Sequence, residues 1–240
     1  MLIQVNGLTK LYKNGRGARD ITFDIAPGEV LGLLGPNGSG KTTVMKVCIG
    51  LTKPSSGTVH IDGHNVFESP EAALSVVGAL IEAPALFERL TARKNLELAA
   101  AYYPGLPASR IDEVLELTGI LRYQNDRVQS FSLGMRQRTG LALALLSNPK
   151  VLILDEPANG MDIEGMVDIR EIIKRMADDG AAVMVSSHLA HEIEQCATKV
   201  GIMHDGNLLR VAGMDEVFSG NPSLEDYYLA QVKGGRDLEK

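Results

Sequence analysis

Apolar positions along the chain fall into two patterns, short unbroken runs and longer stretches with helical spacing. The runs Val30–Leu34 and Val151–Asp155 are apolar almost throughout, which is typical of strands that a parallel sheet buries on both faces. These runs therefore predict an α/β protein with a parallel sheet. Further predicted strands are residues 21–25 and 181–187, and a hairpin around an Asp-Gly-Asn turn joins residues 200–203 to 208–211.

Helical spacing predicts the elements between the strands. Val44, Val47, Cys48 and Leu51 recur at i, i+3, i+4 and i+7, as in a helix with one buried face, and Pro54 follows as a stop. The Ala- and Leu-rich middle of the chain favours an inserted helical lobe. Predicted helices there are residues 95–103, 111–118 and 133–146, with another at 163–177.

These elements predict one domain over residues 1–240. Its α/β core is formed by residues 1–82 and 150–240, and residues 83–149 form the helical subdomain inserted between them. The polar residues 234–240 are expected to fray.

Composition narrows the possible functions. The chain has 240 residues, 45% of them hydrophobic, and a formal net charge of −6, which gives no electrostatic reason to bind nucleic acid or anionic lipid. No run approaches the ~18 to 20 apolar residues of a membrane span. The first residues lack the apolar segment of a secretory signal, so a cytoplasmic location is expected. Cys48 and Cys196 are predicted to be buried thiols, not a disulfide or a zinc site.

A glycine-rich loop lies between the apolar run 30–34 and the first predicted helix. Residues 35–42, GPNGSGKT, match the pattern G-x-x-x-x-G-K-[ST], in which backbone N–H groups and the helix N-terminus bind phosphate. Lys41 would reach the β- and γ-phosphates, and the Thr42 hydroxyl would bind Mg²⁺. The alternative is a glycine-rich turn that only caps a helix.

Two carboxylates close the apolar run 151–155. Asp155 suits the ligand shell of Mg²⁺, and Glu156 is placed to accept a proton from an attacking water. Carboxylates after a strand are usually solvated loop residues, and the preceding phosphate loop is what favours the functional interpretation.

The order of motifs resembles that of the ATPase subunits of ABC transporters. GPNGSGKTT at residue 35 is followed by FSLGMRQR at 131, LILDEP at 152, NGMD at 159 and SSH ending at 188. The similarity spans nearly the whole chain, and the FSLGM signature is its specific part. The resemblance implies a P-loop NTPase (RecA-like) core with an N-terminal antiparallel β subdomain and an inserted α-helical lobe.

The resemblance also assigns roles to residues by position. Ser132 and Gly134 would contact the γ-phosphate held by a second subunit, Tyr12 would stack on adenine, and His188 would bond the γ-phosphate and orient Glu156. Three of the residues have plainer alternatives: Ser132 and Asp162 could serve merely as helix caps, and Tyr12 could serve merely in packing. The implied nucleotide-binding residues are Tyr12, Gly35, Asn37, Gly38, Ser39, Gly40, Lys41, Thr42, Thr43, Ser132, Gly134 and Asp162, the implied catalytic residues are Lys41, Glu156 and His188, and the implied metal ligands are Thr42, Asp155 and Glu82.

The signature segment and position 82 depart from the family's pattern. The usual signature LSGGQ is FSLGM here, with Leu133 and Met135 replacing a Gly and a Gln, and Glu82 stands where most members have a Gln. A carboxylate can accept a hydrogen bond from metal-bound water but cannot donate one. The IEAP segment around Glu82 and the SLEDYYL segment near the end of the chain resemble the ATPases of bacitracin- and lantibiotic-type peptide exporters.

The family resemblance implies the following function. ATP hydrolysis with Mg²⁺ would drive transport, with a leaning to export, through a separate transmembrane permease subunit. The protein would be peripheral on the inner face of the cell membrane and would act as a homodimer, or as a heterodimer with a related ATPase. Two alternatives stay open: a soluble ABC ATPase without a membrane partner, and an ATP-sensing module that does not hydrolyse.

Overall fold

A computed structural model describes residues 1–237, and residues 238–240 lie outside the described part. Its strands are β1 Ile3–Leu11, β2 Gly17–Ile25, β3 Val30–Leu34, β4 Ser56–Ile61, β5 His64–Asn65, β6 Val77–Leu80, β7 Val151–Asp155, β8 Ala182–Ser187, β9 Lys199–His204 and β10 Asn207–Gly213. Its helices are α1 Lys41–Cys48, α2 Pro70–Leu74, α3 Ala92–Ala100, α4 Ser109–Leu117, α5 Leu133–Leu145, α6 Ile163–Asp178, α7 Ala190–Glu194, α8 Met214–Phe218 and α9 Leu224–Asp237.

The strands of this part of the chain form one sheet in the order β5-β4-β1-β2-β10-β9-β3-β8-β7-β6. Strands β6, β7, β8, β3 and β9 run parallel to one another. At the other end, β1 pairs antiparallel with β2 and with β4. The predicted fold class is therefore confirmed, with its parallel core and its antiparallel N-terminal part. Because parallel strands end at the same edge, the loops after β3, β7 and β8 meet there.

Two apolar clusters hold the parallel strands from either face. In β7, Leu152 and Leu154 pack into one cluster together with α5 and α6, while Val151 and Ile153 pack into the other. Helix α1 covers the second face through its own apolar side. Burial on both faces explains why the sequence of β7 lacks polar alternation, and it fixes the end of the strand between two packed layers.

The middle of the chain is helical in the structure, with small shifts from the predicted boundaries. Helix α3 begins earlier than predicted because the Thr91 side chain accepts a hydrogen bond from the Lys94 N–H and caps the first turn. Short 3₁₀ turns at Leu121–Tyr123 and Val128–Ser130 connect α4 to α5. Within the described residues, no helix combines the length and the apolar character needed to cross a membrane.

Two local predictions are wrong. Helix α1 ends at Cys48, because Gly50 adopts a φ of +72° that turns the chain away, and Leu51 is left 67% exposed instead of completing the buried face. The expected frayed tail is also helical as far as Asp237, the last residue of α9, while the rest of the segment lies outside the described residues.

Both cysteines are buried and free, as predicted. Burial raises the pKa of the Cys48 thiol to about 12 and that of Cys196 to about 11, so neither forms a thiolate near neutral pH.

Candidate active site

The loop between β3 and α1 is shaped by its glycines. Gly38 and Gly40 have φ angles of +83° and +103°, which only glycine adopts without strain. At Gly35 an added Cβ would lie 2.2 Å from the Met203 carbonyl oxygen, so no side chain fits there. The Ser39 hydroxyl is buried without a hydrogen-bond partner. A buried polar group of this kind is suited to a polar ligand.

Lys41 opens α1 and is almost fully buried. Its ammonium donates to the Gly35 carbonyl at 2.6 Å and to the Pro36 carbonyl at 3.3 Å. Glu156 Oε1 lies 3.4 Å from the same ammonium, although it accepts no hydrogen bond. The positive charge of Lys41 therefore lies under the glycine-rich loop, next to the Glu156 carboxylate that follows β7.

Asp155 is held on both carboxylate oxygens. The Thr42 hydroxyl donates to Oδ2 at 2.8 Å, and the Ser186 hydroxyl donates to Oδ1 at 2.6 Å. The Ser186 oxygen also accepts from the Glu156 N–H at 2.9 Å. One buried hydroxyl thus joins the ends of β7 and β8 and fixes both acidic residues.

Ser186 is a site residue that the sequence analysis missed. It is fully buried and lies opposite Asp155 in the register of β7 and β8. The available signal was a serine pair at the end of the apolar run 181–187. Its partner could not be inferred without knowing which strands are neighbours.

Glu156 has a backbone conformation that is rare for a residue with a side chain. Its φ is +48°, and its Oε2 lies 2.8 Å from His188 Nδ1. Strain of this kind persists where the surrounding structure enforces it and is concentrated at functional sites. Of the predicted catalytic residues, Lys41 and His188 thus both contact Glu156.

An open cavity of about 300 Å³ lies over the glycine-rich loop. It is lined by Tyr12, Asn14, Arg16, Gly17, Asn37, Gly38, Ser39, Gly40, Lys41, Thr42, Thr43 and Glu156. Tyr12 is 42% exposed at its rim, with the Lys10 ammonium 5.5 Å from the ring centroid. An exposed aromatic ring beside a phosphate loop offers a stacking surface for a base.

Glu82 is not among the residues that line this cavity. Its carboxylate instead pairs with the Lys46 ammonium of α1 at 2.8 Å, and its side chain is 63% exposed. Its φ of +57° is again rare for a non-glycine residue. The structure therefore does not join the third predicted metal ligand to Thr42 and Asp155.

A second group of predicted residues lies around a separate open groove of about 810 Å³. Ser132, Gly134 and Asp162 line this groove and not the cavity over the glycine-rich loop. The Ser132 hydroxyl accepts from the Met135 N–H at 3.3 Å, and Asp162 Oδ1 accepts from the Gly165 N–H at 2.9 Å. Both residues cap helices, as their plainer interpretation requires. One chain thus carries two separate half-sites.

The residues around Lys41 fit a magnesium ion held mainly by phosphate and water. Among the described residues, no group of three or more His, Cys, Asp or Glu side chains could form an all-protein metal site. Thr42 and Asp155 instead offer a hydroxyl and a carboxylate 2.8 Å apart. Few protein oxygens plus substrate phosphates are the usual environment of Mg²⁺ in phosphate-transfer sites.

Comparison with known families identifies the arrangement. The family model described as ABC transporter matches residues 18–159, more than half of the chain. The chain belongs to the ABC transporter family. Its matched region includes the glycine-rich loop, the signature segment and both acidic residues after β7. The predicted family is therefore confirmed.

Several relatives of this ABC ATPase carry transporter names. It is 38% identical over 230 residues to the bacitracin transport ATP-binding protein BcrA of Bacillus licheniformis, covering 95% of this chain and 75% of that one. It is 33% identical over 231 residues to the lantibiotic transport ATP-binding protein SrtF of Streptococcus pyogenes, covering 96% and 97%. The narrower resemblance to bacitracin- and lantibiotic-type ATPases is confirmed.

Solved structures of ABC ATPases share the fold. An ATP-binding subunit of an ABC transporter superimposes with a TM-score of 0.87 at 29% identity, covering 97% of this chain and 100% of that one. A dimeric ATP-binding cassette in a post-hydrolysis state with ADP and Pi superimposes with a TM-score of 0.80 at 26% identity, covering 88% and 98%. This ABC ATPase thus resembles a cassette whose post-hydrolysis state is dimeric.

Proposed function

We propose that this chain is the Mg²⁺-dependent ATPase subunit of a peptide-exporting ABC transporter. The observation that carries the proposal is the position of Glu156, strained in its backbone, bonded to His188 and 3.4 Å from the Lys41 ammonium. These three groups supply a proton acceptor, an orienting imidazole and a phosphate ligand within one contact network.

In the proposed reaction, water attacks the γ-phosphorus of ATP while the bond to the β–γ bridging oxygen breaks. Glu156 accepts a proton from the water, and Lys41 binds the β- and γ-phosphate oxygens. Thr42 and Asp155 would hold Mg²⁺, which neutralises phosphate charge when bound. His188 keeps the Glu156 carboxylate in position through its 2.8 Å contact. The products are ADP and inorganic phosphate.

The two separate half-sites favour a dimer. Ser132 and Gly134 line a groove that does not include Lys41, so they lie outside the cavity that we assign to the nucleotide of their own chain. A second subunit, identical or related, would bring these residues to the γ-phosphate. The dimeric cassette that superimposes on this chain supports this arrangement.

The proposed partner is a transmembrane permease at the inner face of the cell membrane, where this chain would be peripheral. Relatives named for bacitracin and lantibiotic transport support a peptide cargo. The net charge of −6 gives no support to a nucleic-acid partner. Co-purification with a membrane protein would separate this proposal from a soluble ABC ATPase.

The test removes the proton acceptor. Glu156→Gln should keep ATP binding, lose Mg²⁺-dependent phosphate release by about 100-fold or more, and accumulate an ATP-bound dimer. Light scattering at saturating ATP measures the dimer, and a phosphate-release assay measures turnover. A Glu156→Gln protein that stays monomeric contradicts the dimer, and a parent protein that releases no phosphate favours the ATP-sensing alternative.

A further inference from the structure

The first turn of α5 is in direct contact with the loop that precedes α6. This contact involves Leu133, the residue that replaces a glycine of the usual signature. An added Cβ at Gly160 would lie 2.2 Å from Leu133 Cδ2 and 3.0 Å from Cγ. The leucine therefore fills the space in which a side chain at position 160 would lie.

Gly160 is suited to this contact by its backbone as well. Its φ is +74°, so a residue with a side chain would be strained there whatever the space. The adjacent position repeats the contact, because an added Cβ at Gly134 would lie 3.7 Å from Met161 Cγ. Two successive residues of α5 thus lie against two successive residues of the loop.

A second connection joins the same helices, and both of its residues also line the groove. The Arg138 guanidinium donates through Nη2 to Asp168 Oδ2 at 2.6 Å, which ties α5 to α6. Its Nη1 donates to the Thr118 carbonyl at 3.0 Å. The apolar contact at Leu133 and the ion pair at Arg138 connect α5 to the 159–162 loop and to α6. The first turns of the two helices are therefore held together at two positions.

We propose that Leu133 is a positioning residue that couples the signature turn to the 159–162 loop, so that Ser132 and Asp162 approach a partner's nucleotide as one unit. This inference rests on the proposed function. A glycine at position 133 would leave the turn free of the loop, whereas leucine packs on Gly160 while its side chain remains 54% exposed. Leucine in place of glycine thus makes the signature turn less flexible and fixes its position relative to the 159–162 loop.

The test measures ATP-driven dimerisation in the Glu156→Gln background. Leu133→Ala should raise the ATP concentration at half-maximal dimer by about fivefold or more, since ordering of the two loops must then accompany binding. Leu133→Met can reach the same space and should restore the value within about twofold. Leu98→Ala removes another exposed leucine, 42% accessible on α3, and should have no effect.

Kinetics and thermal stability distinguish the positioning role of Leu133 from a merely structural role. With Glu156 intact, Leu133→Ala should raise the KM for ATP while kcat changes little, and its thermal midpoint should stay within about 2 °C of the parent. A drop of kcat together with a large loss of thermal stability would overturn the positioning role.

A double-mutant cycle tests the contact itself. Gly160→Ala alone creates the 2.2 Å overlap with Leu133, and Leu133→Ala removes it. The combined variant should therefore be less impaired than the product of the two single effects, whereas multiplicative effects would overturn the coupling. If Glu156→Gln does not dimerise with ATP, the proposed function and this inference both fail. If Glu156→Gln dimerises and Leu133→Ala has no effect, only this inference fails.

Discussion

The two half-sites of this chain are built in opposite ways. Around Lys41 and Asp155, the charged groups are about 95% buried: Lys41 donates to the glycine-rich loop, and Asp155 accepts from Thr42 of α1 and Ser186 of β8. Around Ser132 and Asp162 the side chains are exposed, and they bond only to the first turns of their own helices. The difference supports the proposed dimer, in which the buried groups bind the nucleotide of their own chain and the exposed groups contact a nucleotide that a second chain presents.

The largest expected effect comes from a substitution in the half-site around Lys41. Lys41→Ala removes the buried ammonium that we assign to the β- and γ-phosphates, and charge-assisted hydrogen bonds of this kind each contribute about 1.5 to 3 kcal/mol. We expect ATP affinity of the monomeric protein to fall about 100-fold, measured by equilibrium binding. Lys53→Ala, at an exposed lysine outside α1, is the control. Undiminished ATP binding by Lys41→Ala would contradict the assignment of the phosphate site to the residues around Lys41.

The second prediction separates the two roles of Ser132. Ser132→Ala should leave ATP binding to the monomer unchanged but lower ATP hydrolysis by about 10-fold, because a donor to the partner's γ-phosphate is lost. Ser132→Asp keeps a helix cap yet places a negative charge against phosphate, so its hydrolysis should be lower than that of Ser132→Ala. Steady-state phosphate release measures both variants. If the Asp variant hydrolyses ATP as well as the parent, Ser132 only caps its helix.

The third prediction tests whether Ser186 stabilises the half-site around Lys41 and Asp155. Ser186→Ala leaves Asp155 Oδ1 and the Glu156 N–H without the hydroxyl that joins them. We expect a loss of about 1 to 3 kcal/mol in the free energy of unfolding, measured by denaturant titration. Ser75→Ala, which removes an exposed hydroxyl bonded to the Ala72 carbonyl, should change it by less than about 0.5 kcal/mol. Equal stabilities of the two variants would contradict the supporting role of Ser186.

The sequence predicted the parts of the fold that follow from local chemistry. The phosphate loop and the strand β7 could be located because glycine spacing and unbroken apolar runs are visible in the chain itself. The hydrogen bond from Ser186 to Asp155 could not, since it depends on β8 lying beside β7. Leu51 was misassigned because helical spacing continues past Gly50, where the backbone turns away.

The smallest expected effect concerns Glu82, which lines neither of the two cavities. Its ion pair with Lys46 is largely exposed, and exposed pairs contribute about 0 to 1 kcal/mol, so Glu82→Gln should change neither stability nor ATP affinity appreciably. The amide can both donate and accept a hydrogen bond, however, whereas the carboxylate only accepts and carries a negative charge. We therefore expect a changed ratio of substrate transported to ATP hydrolysed, measured in vesicles with the permease. An unchanged ratio would show that the charge of Glu82 plays no part in coupling.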